Sequence, residues 1–131
     1  MIKKVFYSLI LTFVLIIGFF LLQRNPFFLI AAFLGLLFTI LGIYLIYLTK
    51  KSKIKEKLFL YMTGISAASM LPASILHNVF YALAILSGNI LVLKYIFEFL
   101  HAALFLIGIP IAPVLFIVGI IGTLIKKQLS S

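Results

Sequence analysis

The chain has 131 residues, of which 66% are hydrophobic and only 10% charged. Soluble domains are about half apolar and about a quarter charged, and a chain this short has too much surface to hide such an excess inside a core. A lipid bilayer is therefore the expected solvent and main partner, around a single domain. The net charge is +9, yet the basic residues stand at the ends of apolar runs instead of lining one face, which argues against nucleic acid as a partner. The absence of cysteine excludes disulfides, thiolate metal sites and catalytic thiols.

Val5 to Leu22 is an unbroken apolar run behind Lys3 and Lys4. Its length and charged start resemble a signal peptide, but Gln23-Arg24-Asn25-Pro26 follows in place of a small-residue cleavage site, so an uncleaved first membrane span is expected. Asn25-Pro26 is a helix-start signal, and the second span is predicted over residues 27–48. Along it Ala31, Gly35, Thr39 and Gly42 recur at helical spacing. Small residues so placed let helices approach closely where lipid offers no hydrophobic drive for association. Residues 49–57 hold five lysines and Glu56, and read as a solvated loop that carries the topology signal. The segment Lys50 to Lys57 is the expected contact with anionic lipid headgroups.

The third span is predicted over residues 58–86, with Pro72 near its middle. Pro72 should free the carbonyl of Ala68, and Ser69 or Ser74 is expected to help satisfy the loosened backbone. Ser87-Gly88-Asn89 should end that helix, Gly88 being suited to a left-handed C-cap. From Ile90 to Ile125 the chain is apolar again except at Lys94, Glu98 and His101. A straight helix of that length would measure about 54 Å, well beyond a hydrocarbon core of about 30 Å. The fourth span is accordingly placed at 97–125, with an outer turn over 87–96. Residues 90–97 either rest at the interface or project beyond it. Pro110 and Pro113 should bend this span, while Gly108, Ala112, Gly119 and Gly122 supply close-packing positions.

Charge sets the expected orientation. Lys3, Lys4, the loop lysines, Lys126 and Lys127 fall on one side of a four-span arrangement, against Arg24 and Lys94 on the other. The positive-inside rule then puts both termini in the cytoplasm of a cell-membrane protein. Tyr7, Tyr44, Tyr47 and Tyr61 gather near the inner boundary, and Tyr81 and Tyr95 near the outer one, as interfacial anchors do.

His77 and His101 lie twelve residues either side of Asn89, so an antiparallel hairpin would bring the two imidazoles level. Lys94, Glu98 and His101 share one helical stripe, and His77, Asn78 and Tyr81 form a polar edge on the facing helix. Together they predict a small outward-facing polar pocket. Three uses of it are open. The groups satisfy one another structurally, with Glu98 paired to Lys94. Or Glu98 and His101 relay protons or line a permeation site, since an ordinary histidine titrates near neutral pH. Or His77, Glu98 and His101 hold a divalent metal, or the two histidines the axial positions of a haem b. No cofactor is the leading expectation. Hydrolytic catalysis is disfavoured because the chain lacks Asp, and no phosphate-binding glycine motif is present.

In length and number of spans the chain is similar to small multidrug transporters and fluoride channels. The first span has no membrane-embedded Glu, and the arginine and asparagine pattern of the channels is missing, so no residue role is carried over. The reading is an all-α integral membrane four-helix bundle of two antiparallel hairpins, with helices 3 and 4 bent at proline. It is expected to be non-enzymatic and to act as an accessory or assembly subunit of a membrane complex, or as a small transporter. Its expected protein partners are copies of itself or other membrane subunits.

Overall fold

The computed structural model describes residues 1–22 and 28–130. The chain is all-helical: α1 (Ile2–Leu21), α2 (Phe28–Lys51), α3 (Leu58–Leu86), α4 (Leu91–Leu106), a π-helical turn (Ile107–Ile111) and α5 (Ala112–Ile125). The last three run on as one rod over Leu91–Ile125, so four helices are long and apolar enough to cross a membrane. Helix is the form this composition demands, because in lipid each backbone N–H and C=O must find its partner within the segment. The Asn25-Pro26 start signal and Arg24 lie outside the described residues.

The break between the helices is 87–90, shorter than the 87–96 reserved for it: α4 begins at Leu91, so residues 91–96 extend the helix beyond the span expected at 97–125, one of the two placements expected for them. Nothing between Leu91 and Ile96 breaks a helix, and Phe97 stacks on Phe80 of α3 with ring centroids 6.0 Å apart. Gly88 is also not left-handed: no described glycine has positive φ. The chain turns instead through the Ser87 N–H bonded to Leu83 and the Ile90 N–H bonded to the Ser87 carbonyl.

Helix α3 is the hub, touching α2, α4 and α5, while α1 packs mainly on α2. Burial is concentrated at the lysine-rich end. Val5, Phe6 and Leu9 of α1, Phe38 and Leu45 of α2, Leu60 and Ala67 of α3 and Phe116 of α5 form the core. Phe116 closes it midway, with its ring centroid 4.7 Å from Phe13 and 5.0 Å from Phe38. Helices α2 and α3 meet backbone to backbone. A Cβ at Gly42 would stand 2.7 Å from the Ala68 amide nitrogen and 2.8 Å from the Gly64 carbonyl oxygen. On α5, Gly119 and Gly122 lie closer still to side-chain atoms of Thr63 and Phe59. Ala112 is buried and Gly108 faces Ala73. At Gly35 an added Cβ would meet only the Leu71 side chain, at an ordinary 3.5 Å.

Pro72 lies within α3. The neighbouring serines do not serve the carbonyl of Ala68 as expected: Ser69 Oγ donates to Ser66 O and Ser74 Oγ to Met70 O. Each hydroxyl finds a carbonyl one turn back on its own helix, the shortest reach available. Pro110 sits inside the π-helical turn, whose wider ring accommodates a residue with no N–H to give.

Candidate functional site: the cleft of the α3–α4 hairpin

Helix α3 is nine residues longer than α1, which at 1.5 Å per residue is about 13 Å of extra length. His77 stands nineteen residues past Leu58, about 28 Å along the helix, near the height at which α1 runs out. Among the described elements α4 packs essentially on α3 and on the π-helical turn that continues it.

The two histidines meet there. Their ring centroids are 5.0 Å apart at 46°. His77 Nδ1 lies 2.7 Å from the His101 main-chain carbonyl oxygen and 3.4 Å from His101 Nδ1. A carbonyl only accepts, so His77 carries its hydrogen on Nδ1 and donates it there. That nitrogen then has no in-plane lone pair left. The neutral pair is consistent only if His101 keeps its own hydrogen on Nε2 and turns a lone pair toward His77. A hydrogen on His101 Nδ1 instead would set two N–H groups against each other across 3.4 Å. Aromatic contacts hold both rings: Phe105 lies 5.5 Å from His77, and Tyr81 lies 5.4 Å from His101 edge-on.

Tyr81, Lys94, Glu98 and His101 line an open cleft of about 460 Å³ whose remaining wall is Ala84, Ile85 and Gly88. Of the six residues expected to form a polar pocket, these four line one cleft, and His77 touches its edge through His101. Asn78 is exposed and does not line the cleft. Lys94 Nζ and Glu98 Oε1 are 4.0 Å apart, with side chains 40% and 42% exposed. An ion pair this wet, with Lys preceding Glu, contributes little to stability. No group of three His, Cys, Asp or Glu able to hold a metal ion occurs among the described residues.

Phe97, Phe105 and Ala84 are the members of this site that the sequence reading passed over. Phe97 and Phe105 stand four residues either side of His101 and Ala84 seven after His77, so helical spacing alone would have placed them on the same faces. Comparison with family models, with curated proteins and with solved structures finds no match.

Proposed function

We propose that this chain is a small, non-enzymatic multi-pass membrane protein. It works as a subunit of a larger membrane assembly, to which it offers the cleft of its α3–α4 hairpin. The observation that carries this reading is the contrast between the two ends. The lysine-rich end is knit together by aromatic and glycine contacts, whereas α4 contributes no buried residue along its sixteen positions. On that uncovered hairpin sit Glu98, Lys94, Tyr81 and the histidine pair. Ionisable groups inside or at the edge of a bilayer are costly unless they face protein or water. A neighbouring helix with hydrogen-bonding side chains, from a second copy or another subunit, would cover the apolar face and complete the polar one together.

A photo-crosslinking residue at Phe99, which is 73% exposed on α4, tests this in membranes. The expected result is a protein adduct that is absent when the same residue replaces Ile17 on α1. Adducts to lipid alone from Phe99 would overturn the reading.

Transport is the second reading, favoured by the imidazole contact and by the π-helical turn facing Ala73, next to Pro72, at similar depth. Within one chain the cleft ends above the Phe13–Phe38–Phe116 cluster, so a route across the membrane would have to run between copies. Proton or solute flux in liposomes that is lost in Glu98→Gln would favour it. The redox alternative rests on the two imidazoles alone. A haem would need its ring between them, and here they touch, with ring centroids 5.0 Å apart. A Soret band lost in His101→Ala would establish it.

A further inference from the structure

The lysine-rich end holds a second cleft, of about 340 Å³, between the start of α1, the α2–α3 connection and the C-terminal turn. Its polar lining is Lys3, Ser52, Lys53 and Gln128, and its apolar lining includes Ile2, Ile54 and Leu129. Gln128 reaches it through a backbone reversal. Lys127 adopts φ 50°, its N–H donates to Leu124 O at 3.2 Å, and the Gln128 N–H donates to Thr123 O at 3.1 Å. This is the double bond pattern that closes a helix on a left-handed residue, a conformation that costs a lysine about 1 kcal/mol. The reversal folds Gln128 under the bundle, where it is 5% exposed. Both atoms of its side-chain amide are buried without a hydrogen-bond partner, as are the hydroxyls of Thr123 and Thr49.

Two further features set this cleft apart from a solvated patch of lysines. Lys51 is engaged by the Tyr47 hydroxyl and ring, and Lys57 donates to the carbonyls of Lys50 and Ser52. Among the described residues Lys3 and Lys53 have no such partner and no carboxylate lines the cleft. An orphaned buried amide is costly, and native structures rarely keep one without a water or ligand to meet it. A single oxyanion answers both defects, since it accepts from two ammonium groups and the Gln128 amide N–H together, while the Ser52 hydroxyl already donates to the Thr49 carbonyl at 2.8 Å. Ile2, Ile54 and Leu129 offer the adjoining surface that an ester and its acyl chain require.

We propose that this cleft binds the phosphate group of an anionic phospholipid, held by Lys3, Lys53 and Gln128. The site takes only Lys53 as a donor from the charged loop and completes itself from the two chain ends. It rests on the membrane reading above but not on assembly with a partner, so a strictly monomeric protein leaves its test intact.

The test uses the delipidated full-length chain in detergent, titrated with phosphatidylglycerol, phosphatidylcholine or inorganic phosphate, and read by native mass spectrometry and thermal midpoint. One phosphatidylglycerol is expected to bind about tenfold more tightly than the zwitterionic lipid, whose choline the two lysines repel. Lys3→Gln with Lys53→Gln should weaken it about tenfold, while Lys4→Gln with Lys55→Gln, an equal loss of charge outside the cleft, should change it less than about threefold. Gln128→Leu should weaken lipid binding yet raise the lipid-free midpoint, because it removes the orphaned amide. Protection by inorganic phosphate that is lost in the Lys3/Lys53 variant would assign the site to a soluble phosphate instead of a lipid. Equal losses in the two double variants would overturn the site, leaving diffuse surface attraction. So would the absence of any preference for an anion, leaving water on the amide.

Discussion

Replacing Gly42 by alanine tests whether the α2–α3 contact holds the bundle together. The added Cβ would fall 2.7 Å from the Ala68 nitrogen and 2.8 Å from the Gly64 oxygen, about 0.6–0.7 Å short of the 3.4 Å at which ordinary contact begins. Both obstacles are backbone atoms, so no rotamer change relieves them and the two helices must part. Overpacking of this kind costs about 1–3 kcal/mol, and the separation also loosens the adjoining Leu45 and Ala67 layer, which places the effect at the upper end. Against it stands the better helix propensity of alanine, about 1 kcal/mol. The net expectation is a loss of about 2 kcal/mol, or roughly 6–8 °C for a chain of this size. Gly35→Ala is the internal control. Its Cβ would meet Leu71 at 3.5 Å, so the same chemical change should leave the protein as stable as before or slightly more so. Thermal unfolding in detergent, followed by far-ultraviolet circular dichroism, compares the two. If Gly42→Ala melts with Gly35→Ala, the close approach of α2 and α3 is not what stabilises the bundle.

The aromatic cluster should be costlier still: Phe116→Ala removes a fully buried ring that touches Phe13 and Phe38 and is expected to lose about 3–5 kcal/mol, read from the same melts. For the histidine pair, nitrogen-15 correlation spectra at neutral pH should show His77 protonated on Nδ1 and His101 on Nε2, and the opposite assignment for His77 would contradict its bond to the His101 carbonyl. Glu98→Gln breaks a 4.0 Å pair that is largely exposed, so stability should change by less than about 0.5 kcal/mol. A larger loss would mean that Glu98 has a partner beyond Lys94.

The level histidines were legible because an antiparallel hairpin pairs residues at equal distance from the centre of its turn, whatever the length of that turn. The turn of 87–90 is centred between Gly88 and Asn89, where the equal spacing of His77 and His101 put it, whereas a turn of 87–96 would have been centred about three residues later and would have set them out of level. The contact at Gly42 was half legible. The stripe of Ala31, Gly35, Thr39 and Gly42 marks one face of α2, but a small residue matters only where the opposite helix is small too. That place is the run from Thr63 to Ser69 on α3, and a reading that took each helix separately had no reason to single out Gly64. The four spans and their polarity rest on sums over many residues, so an error at one position scarcely alters them.

The burial of Gln128 was not legible at all, and the reason is physical. A left-handed residue usually announces itself as glycine or asparagine, and here a lysine adopts the conformation. The glycine expected to be left-handed, Gly88, is not. Local propensity therefore pointed to the wrong end of the molecule. What reverses the chain at Lys127 must lie outside the turn itself. The Gln128 amide, buried but unpartnered, gives the turn nothing in return without an occupant for the cleft. The two closing bonds and the packing of Leu129 on the core offset the strain at Lys127, which leaves the orphaned amide of Gln128 as the cost that a bound oxyanion would reduce by accepting its N–H.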